Sequence, residues 1–92
     1  MMDFKIDNNT VASRFELPVN GRLAILDYRI EGDAVFLLHV EVLIAEQGRG
    51  MAGKLSHAAL EFARDNGLKA VARCPFIATY MRRHPESIQS LR

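Results

Sequence analysis

The sequence predicts an α+β domain, a mixed sheet accompanied by helices, with its elements in the order β-β-β-α-β-α. Three observations predict this fold class. Three apolar-rich stretches are separated by short turns, a glycine-rich turn leads into apolar residues at helical spacing, and a short apolar stretch then precedes a second helical pattern. Short turns make neighbouring strands antiparallel, whereas a strand that follows a crossover helix is parallel to the strand before it.

The first three predicted strands are bounded by turn residues. The stretch ASRFELPV, which begins at Ala12, is followed by Asn20 and Gly21, a strong short-range hairpin signal. RLAILDYRI then alternates, and EGD at residues 31–33 makes the second turn. AVFLLHVEVLI, residues 34–44, is apolar enough to predict a central strand.

The pattern changes to a helical period after the glycine-rich turn. Apolar residues recur at helical spacing at Met51, Leu55, Ala58, Ala59, Phe62 and Ala63. Asn66 and Gly67 are predicted to end this helix as a C-cap. LKAVARC, which ends at Cys74, is predicted to be the fourth strand, and FIATYMRRH is predicted to be a short helix that ends at His84 and Pro85.

Length and composition predict one domain over residues 1–92, with a core at about 12–86 and a polar tail at 87–92. Apolar residues make up 49% and charged residues 25%, as in ordinary globular proteins. Twelve Lys and Arg oppose eleven Asp and Glu, which gives a formal net charge of +1. This near-balance argues against a nucleic-acid-binding function, which usually requires a strongly basic face.

The sequence also predicts where the protein resides. A single cysteine, Cys74, excludes an intramolecular disulfide and suits a reducing compartment. MMDFKIDNNT lacks the apolar segment and basic flank of a signal peptide, and no apolar run reaches the roughly 18 residues of a membrane span. We therefore expect a cytoplasmic protein that binds neither nucleic acid nor membrane, with its oligomeric state left open.

The stretch EQGRGMAGKLS, residues 46–56, matches three nucleotide-site motifs. The spacings G-x-G-x-x-G and G-x-x-x-x-G-K both start at Gly48. Gln47, Gly50 and Ala52 form Q-x-x-G-x-A, the pattern with which acetyltransferases hold the pyrophosphate of coenzyme A. In all three motifs a glycine-rich turn precedes a helix N-terminus whose free N–H groups face an anion.

The surroundings of the turn distinguish these motifs. A Walker A loop requires Ser or Thr directly after its lysine, but Lys54 is followed by Leu55. The dinucleotide fingerprint belongs to a doubly wound parallel sheet, whereas the strands before this turn form a meander. The coenzyme A pattern fits the predicted order of elements. A tight turn without any ligand is the remaining alternative.

The stretch from Arg14 to Glu86 resembles the small, minimal GNAT-like N-acetyltransferases. The resemblance is carried by RFELPVNGRLAILDYRI, HVEV, GRGMAGKLSHAALEFARDNGLKAVARCPF and YMRRHPE, including a Cys-Pro-Phe strand end and a Tyr…His-Pro-Glu close. It implies a minimal acyl-CoA N-acyltransferase (GNAT) fold, acetyl-CoA as donor, and an amine, small molecule or protein, as acceptor. It also implies that elements which shape the acceptor pocket of full-length members are missing here.

The coenzyme A site is expected at the glycine-rich turn and in a gap beside it. Backbone N–H groups of residues 47–52 would receive the pyrophosphate, and Arg49 would help to neutralise it. The pantetheine arm would pair like an added strand between the strand that ends near Leu43 and the strand that ends at Cys74. The expected cofactor-binding residues are Val42, Leu43, Ile44, Gln47, Gly48, Arg49, Gly50, Met51, Ala52 and Tyr80.

Cys74 and Tyr80 are candidate catalytic residues. Cys74 lies where a strand gives way to a helix, whose dipole would favour the nucleophilic thiolate. The resemblance places this position opposite the coenzyme A sulfur, so Cys74 could carry the acyl group transiently; the alternative is a small apolar core residue. The resemblance also implies that Tyr80 protonates the departing thiolate, and the alternative is a packing tyrosine.

Glu41 and His39 complete the candidate catalytic set. They alternate along one strand and therefore share one side of the sheet. Glu41 could accept the proton of the acceptor amine with His39 as its neighbour, or both residues could simply face solvent. Arg82, Arg83 and His84 form a basic patch that could meet the adenosine 3′-phosphate or be a solvated helix face.

No metal is expected, because the three histidines and Cys74 show no recognised ligand spacing. Two functions of different classes follow. The first is acetyl transfer from acetyl-CoA to an amine, directly or through Cys74. The second is a coenzyme A-binding module or accessory subunit with little catalysis.

Overall fold

The structure is a computed structural model that describes residues 5–43 and 50–85. The described residues form β1 (Asp7–Asn9), β2 (Arg14–Val19), β3 (Arg22–Glu31), β4 (Ala34–Glu41), α1 (Met51–Asp65), β5 (Lys69–Ala72) and α2 (Pro75–Arg83). The strands form one sheet in the order β1-β2-β3-β4-β5. Neighbours from β1 to β4 are antiparallel, whereas β5 is parallel to β4. The predicted mixed sheet and the placement of both helices are therefore confirmed.

The N-terminal strand β1 was not predicted from the sequence, because Asp-Asn-Asn has no apolar periodicity. Backbone pairing with β2 and side-chain hydrogen bonds of Asn8 and Asn9 attach it to the sheet. Asn9 Nδ2 donates to Glu16 Oε2 at 3.1 Å, and Arg14 Nε donates to the same oxygen at 2.8 Å. These bonds, that of Arg14 above all, hold the pKa of the Glu16 carboxyl below its ordinary value.

The helix α1 ends where the sequence predicts. Gly67 has a φ of 65°, the left-handed region that favours glycine. Its N–H donates to the Arg64 carbonyl at 3.2 Å, and the Leu68 N–H donates to the Ala63 carbonyl at 2.8 Å. This pair of bonds is a Schellman motif, which satisfies carbonyls that the end of a helix leaves without partners.

The core lies on one face of the sheet. Both helices cover that face, because α1 and α2 contribute to the same buried cluster as the strands. The cluster comprises Phe15, Leu17, Val19, Ala24, Leu26, Tyr28, Val35, Leu37, Met51, Leu55, Ala59, Leu60, Ala63 and Ile77. Ile25, Phe36, Leu38 and Val71 are only half-buried and do not belong to that cluster. They mark the opposite, uncovered face, over which no element of residues 5–43 and 50–85 packs.

A bulge in β4 decides which residues reach the uncovered face. The pairing with β3 passes from Tyr28↔Leu37 to Asp27↔His39, which leaves Leu38 as an extra residue. Leu37 faces the helices. Without the extra residue, the period of two would put His39 on the same face as Leu37, inside the core. The bulge instead turns His39 outward.

An aromatic cluster connects the sheet to α1 beside β1. The ring centres of Phe15, Tyr28 and Phe62 lie 5.3 to 5.7 Å apart. Tyr28 is 5% exposed, and its hydroxyl donates to Asn8 Oδ1 at 2.7 Å. A buried phenol needs such a partner, so this bond fixes the position of β1 on the sheet.

Tyr28→Phe is expected to lower the free energy of unfolding by about 1 kcal/mol, because it keeps the ring and removes the bond to Asn8. Urea unfolding followed by circular dichroism measures this difference. In an Asn8→Ala background, which already lacks the acceptor, the same substitution should cost much less. An equal cost in both backgrounds would show that the hydrogen bond does not hold β1.

Candidate active site

A gap between β4 and β5 is present, as the sequence analysis expects. The parallel pairing ends at Leu37↔Ala72, and the Arg73 N–H donates a final bond to the Leu37 carbonyl at 2.8 Å. Beyond this point β4 continues to Glu41, whereas the chain after Arg73 turns into α2. Residues 38–41 of β4 therefore have no β5 partner, and their backbone can pair with an extended ligand.

The structure describes only the end of the glycine-rich turn. Ile44, Gln47, Gly48 and Arg49 lie outside the described residues, so their expected contacts with coenzyme A stay predictions. Gly50 directly precedes α1 with a φ of 77°, a conformation that L side chains rarely adopt.

The N-terminus of α1 suits an anion. The first turn carries no acidic side chain, and the N-cap Gly50 makes no side-chain capping bond. The positive end of the helix dipole is therefore not compensated by a side chain of the helix itself. Ala52 is half-buried in this turn, whereas Met51 is 1% exposed and could meet a ligand only through its backbone.

Val42 and Leu43 follow β4 and line a different opening. With Met51 they border an open apolar groove of about 180 Å³, part of which is open solvent, whose other walls are Val19, Arg22, Leu23 and Ala24. This groove lies toward the β2–β3 hairpin, across β4 from the gap. The two residues were predicted to bind the cofactor, and that role stays a prediction.

Cys74 and Tyr80 both face the core side of α2. Cys74 is the N-cap of α2, is half-buried, and packs with Tyr80 against the core cluster. The position of Cys74 at this strand-to-helix junction agrees with the prediction from the sequence. Ile77, midway between them, is fully buried, so residues at helical spacing present one side of α2 to α1.

The Tyr80 ring connects α2 to the first turn of α1. A Cβ built on Gly53 would lie 3.5 Å from Tyr80 Cε2, so the ring lies directly over this glycine. The ring also stacks on His84 with centres 4.1 Å apart and planes at 25°. These contacts place Tyr80 between the expected pyrophosphate site and the C-terminal end of α2.

His39 and Glu41 lie on the uncovered face, away from Cys74 and Tyr80. Their side chains are 56% and 67% exposed, and His39 Nε2 is 4.0 Å from Glu41 Oε1. The prediction that they share one side of the sheet holds, and that side faces solvent. The structure thus places Cys74 and Tyr80 on the core side of α2, and His39 and Glu41 on the uncovered face of the sheet.

The basic patch that was predicted as a possible contact for the adenosine 3′-phosphate lies at the end of α2. Arg82 and Arg83 are exposed, and Arg82 donates to Thr79 Oγ1 at 3.1 Å.

Within the described residues, no group of three or more His, Cys, Asp or Glu is placed to hold a metal ion. Among the helices that the structure describes, none has the length and apolar character needed to cross a membrane.

No role at this site was predicted for Gly53, whose small size leaves room for the Tyr80 ring. The position of Gly53 inside the predicted helix is the one feature of the sequence that could have indicated this role. A glycine inside a helix costs about 1 kcal/mol relative to alanine, so its presence calls for a packing reason.

Gly53→Ala is expected to keep or raise the melting temperature. The added methyl would make an ordinary contact with Tyr80 at 3.5 Å, and alanine favours the helix. Gly53→Leu is expected to displace the ring, because its longer side chain needs the space that the ring occupies. Thermal unfolding, together with proton shifts of the Tyr80 ring beside His84, distinguishes the two variants. Unchanged Tyr80 shifts in Gly53→Leu would contradict the packing role of Gly53.

Comparison with known proteins assigns the family. Residues 14–91 match the model of a family described as GCN5-related N-acetyl-transferase. Protein NATD1 of Mus musculus is 33% identical over 84 residues, which cover 88% of this chain and 76% of that protein. Protein NATD1 of Homo sapiens is also 33% identical, over 88% of this chain and 74% of that protein.

A solved structure agrees with this assignment. The solution NMR structure of a GCN5-like protein from Staphylococcus aureus, described as a candidate N-acetyltransferase, superposes with a TM-score of 0.65. The two chains are 29% identical, and the match covers 99% of this chain and 89% of the other. The fold, the family match and the relatives agree: the chain belongs to the GCN5-related N-acetyltransferase family.

Proposed function

We propose that the protein is an N-acetyltransferase that moves the acetyl group of acetyl-CoA to an amine. The observation that carries this proposal is the parting of β4 and β5 beside the N-terminus of α1, with Tyr80 packed on that first turn. This arrangement offers an anion site, a free strand edge and a proton donor within one small region. Membership of the family supports acetyl-CoA as the cosubstrate.

In this proposal the coenzyme binds from the helix side of the sheet. The pyrophosphate lies on the backbone N–H groups that lead into α1, where Gly50 permits close approach. The pantetheine arm runs along residues 38–41 of β4 and brings the thioester toward the point where Leu37 and Arg73 make the last pairing bond.

The chemistry that follows is direct acyl transfer. The amine nitrogen attacks the thioester carbonyl carbon, a C–N bond forms, and the C–S bond breaks. Tyr80 donates its phenolic proton to the departing thiolate, while Glu41 accepts the proton of the amine directly or through water. In the second route, Cys74 Sγ attacks the thioester carbonyl carbon first, and coenzyme A leaves with the proton that the Cys74 thiol gives up. The amine then takes the acetyl group from Cys74 and returns a proton to Sγ.

A second function is favoured by the uncovered face of the sheet. No described element encloses an acceptor there, which also suits a coenzyme A-binding module or accessory subunit with little catalysis. Steady release of free coenzyme A in the presence of amines distinguishes the two functions, because a pure binding module releases none.

Acetyl-CoA at one hundred times its dissociation constant is expected to stabilise the protein by about 2.7 kcal/mol. In a domain of this size that corresponds to a rise of roughly ten degrees or more in the melting temperature. A thermal melt with ATP and NAD as controls measures the effect. A melting temperature that does not change with acetyl-CoA, or that rises equally with all three, would contradict the proposed coenzyme site.

Tyr80→Phe is expected to lower kcat at least about tenfold, because the ring remains and only the proton donor is lost. Cys74→Ala is the companion variant. A loss of similar size in Cys74→Ala, with an acetylated Cys74 seen by mass spectrometry of the wild type, would assign the route through the thiol. Full activity in Tyr80→Phe would exclude the phenol as the proton donor.

A further inference from the structure

Arg73 stands on the uncovered face at the point where β4 and β5 part. Its backbone makes the last bond to Leu37, and the next residue is Cys74. Its guanidinium carbon lies 5.2 Å from the ring centre of Phe36, a half-buried residue of that face. The cation–π contact holds the guanidinium over Phe36, one residue before the last β4–β5 pair, Leu37↔Ala72.

Arg73 differs in its ion pairing from a neighbouring arginine, Arg29. Arg29, on β3 at the other side of β4, lies 5.9 Å from the same Phe36 ring. Its Nε is already paired with Glu31 Oε2 at 2.8 Å. For Arg73, by contrast, no carboxylate in residues 5–43 or 50–85 forms an ion pair. The ring positions this charge, and nothing in that part of the chain neutralises it.

The uncovered face is also the face from which an acceptor can approach, if the proposed acetyl transfer is correct. Both helices and, in the proposed function, the bound coenzyme occupy the opposite face. On this face the start of the gap is bordered by Leu38, which is half-buried, and by Phe36 with the Arg73 guanidinium over its ring. The nitrogen of an acceptor amine that approaches from the uncovered face would also lie on the side where Glu41 is exposed.

We propose that Arg73 binds a carboxylate of the acceptor, so that the substrate is an amine that also carries a carboxylate group. A planar guanidinium matches a carboxylate through two parallel hydrogen bonds, and such charge-assisted pairs are the strong ones. Phe36 keeps the guanidinium in one orientation before the ligand arrives, which reduces the entropy lost on binding. Arg73 thereby sets acceptor specificity, and the proton transfers belong to other groups.

The test compares amines that differ only by the carboxylate at three spacings: glycine with methylamine, β-alanine with ethylamine, and 4-aminobutyrate with propylamine. Acetyl transfer is measured for the wild type, Arg73→Gln, and Arg29→Gln as the matched control on the same ring. The wild type is expected to prefer the carboxylated member of at least one pair about tenfold or more in kcat/KM.

Arg73→Gln is expected to remove this preference by raising KM for the carboxylated amine about tenfold or more. It should leave the KM for acetyl-CoA and the turnover of the plain amine unchanged. Arg29→Gln should keep the preference. Equal turnover within all three wild-type pairs, or a loss in Arg73→Gln that affects both members of a pair equally, would overturn the carboxylate site.

A binding experiment separates this proposal from the proposed function. The Nε–H NMR signal of Arg73 is followed while the same amines are titrated in the presence of coenzyme A. A shift with the carboxylated members alone, without turnover of any amine, would support the carboxylate site and refute acetyl transfer to these amines. Absence of both the shift and turnover would overturn the site together with the transfer to this class of acceptor.

Discussion

The arrangement of the candidate site depends on where β4 and β5 stop pairing. The last bond, from Arg73 N–H to the Leu37 carbonyl, is followed at once by the bulge at Leu38. Continued pairing would have satisfied the β4 backbone with protein groups and left no strand edge for a ligand. Because β5 gives way to α2 immediately afterwards, Cys74 and the free edge of β4 lie at the same end of the sheet.

The described helices cover only one face of the sheet, so the candidate site lies between a buried face and a solvent-exposed face. α1 and α2 bury one face and bring the Tyr80 ring onto Gly53, so the groups that we propose hold the coenzyme and protonate its thiolate lie there. The other face carries His39, Glu41 and Arg73 in contact with solvent. In our proposal the coenzyme and the acceptor therefore reach the gap from opposite faces, which keeps their binding groups apart.

Local sequence patterns predicted most of the fold. The hairpin at Asn20 and Gly21, the end of α1 at Gly67 and the start of α2 after Cys74 depend on neighbouring residues, so turn and cap chemistry sufficed for them. β1 escaped prediction because it has no apolar period of its own; backbone pairing with β2 and side-chain bonds, including that of Tyr28, hold it in the sheet.

The sequence by itself determined the order of the elements, the glycine-rich turn before α1, and the fact that His39 and Glu41 share a side of their strand, because each is a matter of local spacing. Only the tertiary structure decided which side that is, since one extra residue in β4 exchanges the faces. The contact of Tyr80 with Gly53 and the Phe36 ring beside Arg73 join residues far apart in the chain. Such contacts arise from packing, which no local pattern specifies.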